Sequence, residues 1–124
     1  MKVDISIGEL VDKVTILAIK SEKIQDAEKL KNIRSELKTL QSSMHAMGIS
    51  EKAPEYQRLY EINVKLWDIE DAIREKEARK SFDQAFIELA RSVYFNNDDR
   101  AAVKKEINVK YGSDIVEEKS YNPY

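Results

Sequence analysis

The stretch LKNIRSELKTLQSSMHAM, residues 30–47, decides the fold. Its apolar side chains, Leu30, Ile33, Leu37, Leu40, Met44 and Met47, recur at alternating steps of three and four. A helix turns once in 3.6 residues, so this rhythm keeps all six on one narrow stripe, as in a coiled-coil seam. LYEINVKLWDIEDAI, residues 59–73, repeats the pattern with Leu59, Ile62, Leu66, Ile69 and Ile73. Such stripes report packing rather than chemistry. Long helices of this kind must bury a seam against each other or against a second copy of the chain.

Working outward, Ser6 with Glu9 three residues later forms a capping box that opens a first helix over about 6–24. Its apolar residues surround much of the axis, so it is expected to be the most buried element. Asp26 is the N-cap of a second helix, 27–47, and Gly48 its C′ residue. Ile16 and Ile19 share the heptad phase of Leu30 and Ile33, so one long kinked helix is the alternative to a turn at 24–27. A third helix covers 53–80, with Pro54 in its first turn. Ser81 with Gln84 is a further capping box. Two shorter helices follow, 82–95 and 99–111, separated by the cap-rich Asn96, Asn97, Asp98 and Asp99 and closed by Gly112. Residues 113–124 have no helical period. The expected architecture is an all-α bundle of long antiparallel helices with two shorter C-terminal ones, in a single domain spanning 1–124 with a non-helical tail.

Composition narrows the function classes. Hydrophobic residues make up 42% and charged residues 35%, which suits amphipathic helices with broad solvated faces. Lys and Arg number 21 against 23 Asp and Glu, a net charge of −2, so the concentrated positive field of a generic nucleic-acid binder is missing. No cysteine is present, which excludes disulfides and thiolate zinc sites. No apolar run approaches the roughly 20 residues of a membrane span. The start, MKVDISIGELVDK, lacks the pattern of a secretory signal. A cytoplasmic location is expected.

Chemistry-bearing residues are sparse. Acid pairs three apart, Glu9/Asp12, Asp68/Asp71 and Asp114/Glu117, could hold magnesium, as in all-α nucleotide pyrophosphatases. With this much acid they are no more than chance provides, and Glu9–Lys13 and Glu70–Arg74 pairs on solvated faces are the simpler account. His45 is the sole histidine, near a helix end, where it caps carbonyls or lies exposed. The glycines are isolated, so no phosphate-cradling loop exists. Trp67 beside the second stripe reads as core or interface, with stacking on a ligand ring as the alternative. Neither a metal nor a cofactor is expected.

The C-terminal third differs in texture. Arg100, Lys104 and Asn108 lie four apart on one helix face, with Arg91, Tyr94 and Asn97 approaching from the preceding turns. Converging guanidinium, ammonium and amide donors suit a phosphate, a carboxylate or an acidic partner loop. The competing account is that Arg91 and Arg100 pair with Glu88, Asp98 or Glu118 and tie the tail down.

At SIGELVDKVTILAIKSEKI (6–24), LWDIEDAIR (66–74), FIELARSVYFNNDDRAAVKKEIN (86–108) and GSDIVEEKSYNPY (112–124), the chain resembles an uncharacterised small all-helical family of bacterial and phage genomes, often near surface-polysaccharide genes. The resemblance runs over nearly the whole chain in the same order. It implies no activity, cofactor or catalytic residue, only that Arg91–Asn108 and Glu117–Tyr121 belong to the recurring pattern. In that family a proline often follows the Asp of the first inter-helix turn; here the position is Ala27.

Three functional expectations follow. The first is a non-enzymatic interaction or accessory module acting as a homo-oligomer, with a dimer favoured. Its seam would comprise Leu30, Ile33, Leu37, Leu40, Leu59, Leu66 and Trp67. The second is a protein or enzyme that takes a nucleotide or sugar phosphate on Arg91, Tyr94, Asn97, Arg100, Lys104 and Asn108. The third is a magnesium-dependent pyrophosphatase.

Overall fold

The computed structural model describes all 124 residues. It contains four helices and no strand: α1 (Ile7–Lys23), α2 (Ala27–Ala46), α3 (Pro54–Ala78) and α4 (Gln84–Lys110). Ser6 caps α1, its hydroxyl accepting from the Glu9 N–H, and Asp26 caps α2 by accepting from the Lys29 N–H. The chain therefore turns at 24–26, and α1 and α2 are separate helices even without a proline at Ala27.

Three helices end alike. After α2, the Ile49 N–H reaches back to the Met44 carbonyl; after α3, Ser81 reaches Lys76; after α4, Ser113 reaches Asn108. Each is a Schellman closure, which needs a left-handed residue at C′. Gly48 (φ 78°) and Gly112 (φ 67°) supply it freely, whereas Lys80 (φ 54°) bears the steric cost of a Cβ.

The expected break at Asn96–Asp99 does not form, and the two shorter helices are one, α4. Asn96 bonds within the helix instead, and Asp98 receives the Tyr124 hydroxyl of the tail. The Asn96 amide donates to the Ser92 carbonyl at 2.8 Å, one turn back, and so caps nothing. The N-cap of α4 is Asp83, which accepts from Phe86, rather than Ser81.

α1 packs against each of the other three helices, while α2 packs against α1 alone. The core cluster joins Ile7, Val11 and Val14 of α1 with Met44, Leu59, Val103 and Ile107. At Gly8, α1 and α4 approach closely. A Cβ there would collide with the Lys104 carbonyl oxygen and lie 2.9 Å from Asn108 Oδ1. The seam of α2 is deepest at Met44, which is fully buried, while Leu30, Ile33, Leu37 and Leu40 are half-buried and Met47 is exposed.

α3 and α4, of 25 and 27 residues, outrun the 17 residues of α1. At 1.5 Å per residue they extend roughly 12–15 Å further. No residue from Val64 to Ala102 is buried, and the side-chain bonds and ion pairs made by residues 64–92 stay inside this helical pair. The outer part is a two-helix arm, with Phe82 (56% exposed), Ile87 (47%), Tyr94 (42%) and Phe95 (39%) open on it.

Candidate functional site

α1 and α4 run antiparallel, and their facing polar residues interlock. Asp12, wholly buried, receives Arg100 through two bonds: Nε to Oδ1 at 2.9 Å and Nη2 to Oδ2. Asn63 of α3 donates its amide to Asp12 Oδ1 (2.9 Å) and to the Thr15 hydroxyl oxygen (2.8 Å), and that hydroxyl donates to the Asp12 carbonyl (2.7 Å). One turn on, Lys104 Nζ meets Glu9 at 2.6 Å and Glu117 of the tail at 3.7 Å. A further turn on, the Asn108 side-chain oxygen accepts from the Gly8 N–H at 2.6 Å, and Ser113 accepts from the Ile7 N–H. Two orphan donors at the start of α1, Ile7 and Gly8, are thus met by α4 and the residues after it.

This is a polar seam inside a helical protein. Hydrogen bonding to Asp12 holds the Arg100 guanidinium above its ordinary pKa despite partial burial. Every buried side-chain nitrogen and oxygen finds a partner. A second buried carboxylate, Glu55 at the start of α3, receives the Tyr111 hydroxyl and Lys110 Nζ. Burial pushes its pKa up, but those donors and a backbone N–H more than offset it and bring it to about 2.

The six candidate anion ligands do not converge on one point. Arg91 lies along the arm, pairing loosely with Glu88 (3.7 Å) and covering the Phe95 ring. Lys104 and Asn108 are engaged by α1 and the tail. Tyr94, Asn97 and Arg100 do share a groove, of about 790 Å³, whose other wall is the tail residues Lys119 and Tyr121–Tyr124. The tail runs back along α4, with Glu117 at Lys104, Glu118 at Lys105 (3.1 Å) and the Tyr124 hydroxyl at Asp98.

Glu9 and Asp12 face Lys104 and Arg100, not Asp68 and Asp71, which are exposed on α3. No group of three or more His, Asp or Glu side chains is placed to hold a metal. His45 lies half-exposed against Glu51, 2.9 Å away. Trp67 is half-buried and lines a smaller groove with Ile16, Leu66, Val93, Asn97 and Arg100. The role of Asp12 escaped the sequence, although a signal existed. Acids at positions 9 and 12 complement bases at 100 and 104 across an antiparallel pair, since both spacings span one helical turn.

No helix is long and apolar enough to cross a membrane. No curated protein and no solved structure matches the chain. The match that exists is to a family, and it extends from the first residue of α1's approach to the last of the tail. Residues 1–124 match it throughout, and the chain belongs to DUF6165, a family of unknown function.

Proposed function

We propose that this chain is a non-enzymatic interaction module that works as a homodimer joined through the arm of α3 and α4. The observation that carries this is the absence of any buried residue from Val64 to Ala102, alongside Phe82 and Ile87, open large apolar side chains that the tail does not reach. Only 18 of 124 residues are buried, too thin a core for helices of this length to be satisfied within one copy. Two arms laid together by a twofold axis would form a four-helix bundle and cover Ile87 and Phe82 on both copies. That the cations of the polar seam are met by acids of the same chain also favours an assembling role over catalysis.

Light scattering at high concentration tests this. The expected mass is twice that of one chain, and Ile87→Glu, which alters a side chain already open to water, is expected to halve it. A native protein that stays monomeric would remove the proposal. A second reading, a protein that binds an anionic small molecule, draws on the one edge of Arg100 that Asp12 leaves free.

A further inference from the structure

Asp12 engages Nε and Nη2 of Arg100, and nothing in the chain accepts from Nη1. The guanidinium side chain remains 29% exposed, while the carboxylate behind it is fully enclosed. A buried ion pair of this kind adds little to stability, because desolvation cancels most of the attraction and apolar residues would serve the fold as well. What it does achieve is orientation. Asn63 and Thr15 fix the carboxylate, the carboxylate fixes the guanidinium, and the free donors face outward.

Arg100 lines two neighbouring grooves, which together form a trough. Asn97 and Arg100 line both the tail groove of about 790 Å³ and the groove of about 350 Å³ beside Trp67. Arg100 is therefore common to both grooves. At one end Trp67, Ile16, Ile19, Leu66 and Val93 form an apolar half of the wall; the other half is polar and includes Asn63 and Glu70, the latter paired with Arg74. Lys20 lines that end and Lys119 the other, and neither takes part in an ion pair or side-chain hydrogen bond. Three cationic residues thus line the two grooves against two acids, Glu70 and Asp98, and Trp67 offers a ring at one end. Asp98, the acid on the tail side, is engaged by the Tyr124 hydroxyl.

We propose that this trough binds a nucleoside phosphate, the phosphate on Arg100 with Lys20 and Lys119 beside it and the base against Trp67. Guanidinium donors held in a fixed plane match phosphate oxygens, and an indole face suits a base. The proposal rests on the second reading above and gives it a ligand class.

Trp67 is the only tryptophan, so its fluorescence reports directly on one end of the site. The native protein is titrated with the four common nucleoside monophosphates, with uridine and with inorganic phosphate, following Trp67 emission and the melting temperature. At least one monophosphate is expected to shift both saturably by about 1 mM, within the usual range for small ligands. Free uridine and free phosphate are expected to bind at least tenfold more weakly. Lys20→Ala and Lys119→Ala, which break no contact of the fold, are each expected to weaken binding about tenfold, as loss of a charged hydrogen bond does. Phosphate binding as well as the nucleotides would overturn the nucleoside class and leave only anion binding. Unchanged affinity in the double lysine variant would overturn the location. No saturable change with any monophosphate would overturn both the proposal and the second reading.

Discussion

Replacing Arg100 by Met leaves Asp12 wholly enclosed, with only the Asn63 amide to hold its charge. Removing one partner of a buried pair costs about 3–5 kcal/mol, far more than an exposed pair is worth. An unfolding entropy of about 2.1 cal/mol/K per residue makes each kcal/mol worth roughly 4 °C in a chain of this length. Arg100→Met is therefore expected to lower the melting temperature by about 12–20 °C. Asp12→Leu/Arg100→Met removes both charges, and Asn63 keeps the Thr15 hydroxyl as its acceptor at 2.8 Å. The double variant is expected to recover most of the loss. Urea unfolding followed by circular dichroism measures all three proteins, with an unchanged slope marking an unchanged unfolded surface. A single variant within about 1 kcal/mol of the native protein would refute the picture of a clamped, enclosed charge. So would a double variant no more stable than the single.

Gly8→Ala sets a helix-propensity gain of at most about 1 kcal/mol against a Cβ driven into the Lys104 carbonyl and Asn108. A net loss of about 2 kcal/mol in urea is expected, and a neutral variant would refute the close approach of α1 and α4. Lys80→Gly is expected to stabilise by about 1 kcal/mol, because Lys80 holds the left-handed position that glycine fills after α2 and α4. The depressed pKa of Glu55 makes its contribution complete above about 4.5 and lost as pH falls toward about 2. Denaturation curves across that interval are expected to flatten in Glu55→Gln, and an unchanged acid slope would count against the bonds to Lys110 and Tyr111.

The helical architecture was legible because it rests on local rules. The stripe from Leu30 to Met47 gave α2, Ser6 and Asp26 gave two starts, and Gly48 and Gly112 gave two ends. α4 was misjudged because Asn96–Asp99 has the composition of a cap cluster, and nothing local shows that Asn96 bonds backward to Ser92. There, the packing of α4 against α3 and the bonds of Arg100, Lys104 and Asn108 to α1 carry the helix through. The polar seam was legible only in half. Arg91 with Glu88 lies within one helix and was anticipated, whereas Arg100 finds Asp12 across 88 positions. Among several acids of similar local setting, only the fold selects that one. The open arm was implied by the length of the stripes, but which part stays uncovered depends on α1 being shorter than α3 and α4.

The seam between α1 and α4 also constrains the order in which the molecule can assemble. Gly8 waits for Asn108, 100 positions away, and Asp12 for Arg100. Until the last helix docks, the first carries a carboxylate that no dry interior will accept, so α1 and α2 can collapse only into something wet and provisional. Maturation is thereby coupled to the arrival of the final fifth of the chain, and a ribosome-bound fragment ending before Arg100 is expected to remain open to proteases within α1.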